Sequence, residues 1–91
     1  MIESWRSRGL KEIWETGSSR RVRPDLIKRI RVRLSAMAAA TYLEQLKQPG
    51  FDLHKPRGKP ERYTVHVNGP WCITFGWDAG KAREVDLEQY H

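Results

Sequence analysis

The fold is decided by residues 62–91, which read RYTVHVN (62–68), GP (69–70), WCITFGW (71–77), DAG (78–80) and KAREVDLEQYH (81–91). In the first and second runs, large apolar residues occupy every other position, which is the period of a strand with one buried face. These residues are Tyr63, Val65, Val67, Trp71, Ile73, Phe75 and Trp77. Turn-forming residues separate the runs. We therefore predict a three-stranded antiparallel meander with a core on one face and a shallow polar surface on the other.

Two amphipathic helices are predicted upstream of the meander. Ser7 is suited to cap the first helix and Gly17 to end it. Pro24 is suited to the first turn of the second helix. The second helix has an apolar stripe of Leu26, Ile27, Ile30, Leu34 and Met37. Its opposite side carries Lys28, Arg29, Arg31 and Arg33, which we expect to face solvent.

The remaining segments complete the predicted order of elements. Residues 1–6 are expected to add an edge strand to the meander, and residues 41–48 to form a short helical turn. Residues 49–60 are too rich in proline and glycine for regular structure. The chain is thus predicted to be one α+β domain, residues 1–91, of order β-α-α-β-β-β, with both helices on one face of the sheet.

Charge and cysteine content indicate the kind of partner and the cellular location. Seventeen Lys and Arg residues against 11 Asp and Glu residues give a net charge of +6, which favours a polyanionic partner such as nucleic acid. Cys72 is the one cysteine, so no intrachain disulfide is expected and a cytoplasmic location is favoured. We recognise no signal peptide or membrane-spanning segment and expect no membrane partner.

Five motifs, in order, resemble the HigB toxins of bacterial toxin–antitoxin modules over essentially the whole chain. They are Arg23-Pro24-Asp25, the run 49–54 with a basic residue before Gly58, the strand 63–68, Trp71-x-Ile73-x-Phe75 and the terminal Tyr90-His91. The resemblance implies a RelE-like, microbial-ribonuclease-type fold and cleavage of messenger RNA in the ribosomal A site. The implied partners are the ribosome, mRNA and a HigA-like helix-turn-helix antitoxin, through which operator DNA is bound.

The resemblance also implies site residues, namely His54, Arg57, Tyr90 and His91. RNA cleavage by the neighbouring 2′-hydroxyl needs a base, an acid and cations that stabilise charge on the phosphate. Histidine suits both proton steps, so His54 and His91 are the expected pair, with either one as the acid. Tyr90 is expected to bond the phosphate or stack on a base, and Arg57 to contact the phosphate. Lys55 and Lys59 are expected to bind RNA beside Arg57.

Two positions depart from the family pattern. Cys72 stands where the family usually has arginine, and Gln89 stands where it usually has aspartate. By alternation Cys72 lies on the RNA side, where a thiol cannot supply positive charge. Loss of one electrostatic partner costs on the order of 100 to 1,000-fold in rate, so Cys72 is expected to weaken or abolish activity. We expect Gln89 to help orient His91 and Glu88 to point to the opposite face.

Other functions remain open at this stage. Cys72 and Gln89 favour an inactive toxin relative that binds its antitoxin and acts as a co-repressor, and a plain RNA-binding domain is a third alternative. His66 is interpreted as an exposed strand residue and the aromatic row as core. The histidines and the cysteine lack the compact spacing of a zinc site, so we predict no metal and no cofactor.

Overall fold

A computed structural model describes residues 1–58 and 61–89. Its elements are α1 (Arg8–Thr16), α2 (Pro24–Ala39), a 3₁₀-helix (Leu43–Leu46), β1 (Tyr63–Asn68), β2 (Trp71–Asp78) and β3 (Lys81–Gln89). The strands form an antiparallel sheet in the order β1-β2-β3. The predicted α+β class, with two helices before an antiparallel meander, is confirmed. No helix in this described part of the chain is both long and apolar enough to cross a membrane.

Local capping sets the helix ends as the sequence predicts. The Ser7 hydroxyl accepts a hydrogen bond from the Leu10 amide at 3.1 Å and caps α1. Gly17 ends α1 in the left-handed conformation, with φ of 89°. Pro24 occupies the first turn of α2, and Asp25 lies near the positive end of the helix dipole.

The core lies between the helices and one face of the sheet. Its sheet side is built from alternate residues, with Val65 paired to Ile73 and Tyr63 paired to Phe75 across β1 and β2. The helices contribute buried side chains at Leu10, Ile13, Leu26, Ile30, Leu34 and Met37. Full burial of one such side chain is worth about 1.5–3 kcal/mol. An exposed ion pair such as Arg6–Glu84 is worth about 0–1 kcal/mol, so apolar burial dominates the stability of this fold.

A bulge in β3 changes which residues face the core. Gly76 pairs with Arg83, but Thr74 pairs with Asp86, so β3 carries one extra residue over this interval. Glu84, within the bulge, has a positive φ of 48°. Ala82 and Val85 are consequently both buried although they lie three residues apart.

The N-terminal segment pairs with β3 but forms no regular strand. Two isolated parallel bridges, Ile2 with Ala82 and Trp5 with Val85, join it to the outer edge of β3. The bulge at Glu84 lies between these two β3 positions. It breaks the alternation of β3 residues that a continuous ladder of hydrogen bonds requires. The segment therefore lies where the edge strand is expected, but it pairs with β3 through two isolated bridges and not through a continuous ladder.

One prediction about α2 is wrong. Arg33, expected on the solvent side, is 8% exposed and belongs to the buried face of the helix. It contacts the backbone of the chain around residue 50 and of β1. The helical period in fact places Arg33 on the apolar side of α2, three residues after Ile30 and four before Met37. Its charge, and not its position in the helix, suggests a solvent-facing residue.

We expect Gly80→Ala to destabilise the protein more than Gly69→Ala. Both glycines have positive φ, 77° and 55°, but a Cβ at Gly80 would lie 2.9 Å from the Thr41 carbonyl oxygen, whereas nothing lies within 4 Å at Gly69. Both variants carry the left-handed penalty of about 1–2 kcal/mol, and the overlap adds about 1–3 kcal/mol at Gly80. Urea unfolding measures both losses. Equal losses would show that the Thr41 contact does not matter.

Candidate functional site on the open sheet face

The face of the sheet opposite the helices carries two rows of polar residues. Thr64, Thr74 and Asp86 pair across the three strands in one row, and His66, Cys72 and Glu88 pair in the next. Thr64, Cys72 and Thr74 are nevertheless buried. The open face is therefore a partly covered surface with a polar interior.

His54 joins this face through the backbone. Its amide donates to the Thr64 carbonyl at 3.1 Å, and its carbonyl accepts from the Thr64 amide at 2.8 Å, which forms an antiparallel bridge to the edge of β1. The exposed imidazole lies against its own loop, with Nδ1 3.0 Å from the Asp52 carbonyl oxygen. The Thr64 hydroxyl lies 3.1 Å from Nδ1 and 3.2 Å from Nε2. Backbone pairing and two polar contacts thus orient a histidine that the sequence places in an irregular loop.

A pocket of about 260 Å³ brings His54 and Cys72 together. It is lined by Asp52, His54, Thr64, His66, Gly69, Pro70 and Cys72. The Nε2 atom of His66 lies 3.1 Å from the Gly69 carbonyl oxygen, so this ring also faces the pocket. Among the described residues, the wall of the pocket carries hydroxyl, imidazole and thiol groups and one carboxylate residue, Asp52.

Cys72 lies on the side predicted for it, but it is covered. The residue is 4% exposed and pairs with His66 on one side and Glu88 on the other. A longer side chain at position 72 would have to extend into the pocket that Cys72 lines. This pocket also borders His54.

A second polar group on the open face was missed at the sequence level. The Arg62 guanidinium donates through Nη2 to the Thr74 hydroxyl at 2.9 Å, and that hydroxyl donates to a Glu88 carboxylate oxygen at 2.5 Å. Burial lowers the pKa of Arg62, and the nearby charge of Arg6 acts in the same direction. The carboxylates of Glu88, Asp86 and Glu84 oppose this shift and so favour the charged guanidinium.

The expectation that Glu88 faces away from the site is wrong. In a regular β3, counting from the Lys81 turn would put Glu88 on the core side. The bulge at Glu84 advances the register by one residue and turns Glu88 towards Thr74. Gln89 is exposed and pairs with Trp71, whose side chain packs against the core. The register therefore separates Gln89 from the open-face group.

The other predicted residues lie outside the pocket or outside the described part of the chain. The Lys55 ammonium lies 5.7 Å from the centre of the Tyr63 ring, and Lys55 lines a separate pocket of about 230 Å³ that also borders His54. Arg57 is exposed in the turn that follows. Lys59, Tyr90 and His91 fall outside the described residues. Within residues 1–58 and 61–89, no cluster of three or more His, Cys, Asp or Glu side chains could hold a metal ion.

Comparisons with known proteins connect this chain with one family. Residues 3–91 match the family model of the RelE-like toxin of the type II toxin–antitoxin system HigB. A relative from Proteus vulgaris named endoribonuclease HigB is 35% identical over 92 residues, and the match covers the full length of both chains. Both similarities include the segment of His54 and the whole sheet.

We expect the Cys72 thiol to react slowly with a bulky disulfide reagent. Because the residue is 4% exposed, labelling requires local opening of the open face. The rate should be on the order of 100-fold below that of the unfolded chain. Asn68→Cys in a Cys72→Ala background is the matched control, since Asn68 is exposed in the same hairpin. Equal labelling rates at the two positions would mean that Cys72 is not covered in solution.

Proposed function

The chain belongs to the HigB family of RelE-like toxins, and from this premise we propose that it is a ribosome-dependent endoribonuclease that inhibits translation. It cuts messenger RNA in the ribosomal A site. The single observation that carries the proposal is the fixed, exposed imidazole of His54, which borders the pocket on the open face. A surface histidine of this kind can reach an extended RNA strand, whereas a histidine within a closed core cannot.

The proposed chemistry is attack of the 2′-hydroxyl on the adjacent phosphate. One histidine of the pair His54 and His91 takes the proton of the 2′-hydroxyl, and the other protonates the departing 5′-oxygen. Tyr90 bonds the phosphate or stacks on a base. Arg57 offers two parallel N–H donors to the phosphate. A guanidinium matches the geometry of a phosphate in this way better than an ammonium does. Lys55 and Lys59 add positive charge along the RNA backbone, and Gln89 helps to orient His91. No metal or cofactor takes part.

A basic surface covers the connector before α2 and the exposed side of α2, on the face of the fold opposite the site. The exposed cations of this surface are Arg20, Arg21, Arg23, Lys28, Arg29 and Arg31. Two of them are locally neutralised, since Arg21 lies 3.3 Å from Glu12 and Arg23 lies 2.8 Å from Asp25. We propose that the surface contacts ribosomal RNA phosphates, which attract cations without regard to base sequence.

The proposed setting is a cytoplasmic toxin–antitoxin pair. A HigA-like antitoxin with a helix-turn-helix domain binds the toxin and neutralises it. Through that antitoxin the pair binds operator DNA and represses its own transcription. The toxin–antitoxin family to which the chain belongs supports an antitoxin partner for this proposal.

A second function is favoured by Cys72. The residue is a covered thiol, so it offers no guanidinium to a phosphate bound beside His54. An electrostatic contact of this type contributes on the order of 100 to 1,000-fold to rate. A chain without that contact could serve as an antitoxin-binding co-repressor that leaves RNA intact. The two functions predict different effects of an arginine at position 72.

We expect cleavage of a defined mRNA on programmed ribosomes, and we expect Cys72→Arg to raise the cleavage rate on the order of 100-fold. His54→Ala and His91→Ala should each lower the rate by on the order of 100-fold or more, because a proton-transfer group is lost. Primer extension locates the cut and gives the rate. Val32→Ala, on the exposed side of α2 with Val32 52% exposed, is the control and should cleave like the unmodified chain.

The outcomes separate the two functions. Cleavage by the unmodified chain that His54→Ala removes supports the nuclease. Cleavage by the Cys72→Arg variant alone indicates a toxin fold disarmed at one position. No cleavage by either form would reject the nuclease in favour of the antitoxin-binding function.

We expect ribosome binding to weaken steeply with salt, because counterions return to the phosphates. Each phosphate contact contributes a slope of about −0.7 to −0.9 in log affinity against log salt. Arg20→Gln should reduce the slope by about one contact. Arg23→Gln should change it less, since Asp25 already neutralises Arg23. Sedimentation with ribosomes at several salt concentrations measures this, and a flat dependence would contradict the basic-surface assignment.

A further inference from the structure

Arg33 is a buried cation in the middle of α2, on the side that faces the sheet. It is 8% exposed, and it shares the buried face of the helix with Ile30 and Met37. Within the described residues it makes no ion pair with a carboxylate. Burial lowers its pKa, and the like charge of Arg29 acts in the same direction. Burying a charge without an opposite charge is unfavourable unless hydrogen bonds compensate, so the position calls for an explanation.

The guanidinium is compensated by backbone carbonyl groups from three parts of the chain. Its Nε donates to the His66 carbonyl of β1 at 2.9 Å, and its Nη2 donates to the Gly50 carbonyl at 3.2 Å. Its Nη1 lies 3.4 Å from the Arg29 carbonyl one turn back in α2. The guanidinium carbon also lies 4.7 Å from the centre of the Phe51 ring. A planar fork with donors in several directions is required to make these contacts together.

These contacts fix the start of the segment that carries His54. The Phe51 carbonyl accepts from the His66 amide at 2.6 Å, so residues 50 and 51 are attached to β1 directly and through Arg33. Four residues after Gly50, His54 forms its bridge to Thr64. Between these two attachments Asp52 has a positive φ of 46° and offers its carbonyl to the His54 ring. The segment 50–54 is thus held at both ends against the same strand.

We propose that Arg33 is a positioning residue that sets the orientation of the His54 imidazole for cleavage by holding Gly50, Phe51 and the β1 backbone together. This inference rests on the proposed nuclease function. An apolar residue could fill the space without the electrostatic cost of a buried charge. The arginine adds directional hydrogen bonds, and these fix segment 50–54 relative to both α2 and β1. Displacement of a reacting group by about 1 Å can slow an enzyme on the order of 100-fold.

The experiment compares Arg33→Met and Arg33→Lys with Leu34→Ala in the full chain by NMR. Leu34 is fully buried on the same helix and lies towards α1, so its truncation destabilises the fold without touching segment 50–54. Amide exchange is measured at His54 and His66, whose amides bond Thr64 and Phe51. The β2–β3 ladder is the internal reference. The His54 ring signals are recorded on the same samples.

For Arg33→Met we expect exchange at His54 and His66 to rise on the order of 10-fold relative to the β2–β3 amides, with a shift of the His54 ring signals. In Leu34→Ala the ratio of exchange at His54 and His66 to exchange at the β2–β3 amides should equal that of the unmodified chain. Cleavage on ribosomes by Arg33→Met should show kcat lowered on the order of 10 to 100-fold with little change in KM. Arg33→Lys should recover part of kcat, because an ammonium reaches one carbonyl group but cannot bridge both.

Unchanged His54 ring signals and exchange in Arg33→Met would overturn the proposal, as would a uniform rise that Leu34→Ala reproduces. If the unmodified chain cuts no RNA, the proposed function fails. The exchange ratio alone then supports or overturns the positioning role of Arg33.

Discussion

Burial of Val65, Ile73 and Phe75 against the two helices is the constraint on which the other elements depend. These residues alternate with the polar rows of the open face, so a slip of one residue between β1 and β2 would exchange core and surface along the whole pair. Apolar burial therefore fixes the register, and the register fixes which polar groups meet on the other side. The exposed ion pairs around the N-terminal segment contribute little by comparison.

The open face is completed by chain that is not part of the regular sheet. Segment 50–54 lies along the free edge of β1 and brings His54 beside Thr64. Edge strands leave backbone donors and acceptors unpaired, and this segment satisfies several of those on β1. Because Arg33 reaches the same segment from α2, the position of His54 depends on both layers of the fold.

The polar interior of the open face contains a guanidinium, a carboxylate and a thiol on neighbouring positions. Arg62 and Glu88 share the Thr74 hydroxyl, while Cys72 occupies the neighbouring position as a covered thiol. Since Glu88 pairs with Cys72 across β2 and β3, a cation at position 72 would lie near a carboxylate as well as near the phosphate of the proposed substrate. The charges at position 72 and Glu88 therefore matter for the choice between the nuclease and the antitoxin-binding co-repressor.

The sequence by itself determined the elements whose causes are local. Strand alternation, the turns at Asn68 and Asp78, the Ser7 and Gly17 caps and the Pro24 helix start all follow from neighbouring residues. His54 was identified by resemblance to a family and by no local pattern. Only the tertiary structure decided that Gly50 and Phe51 contact Arg33, that Glu88 faces Thr74 and that Cys72 is covered. Each of these depends on contacts between distant segments or on the bulge at Glu84, which shifts the strand period by one residue and leaves no periodic signal in the sequence.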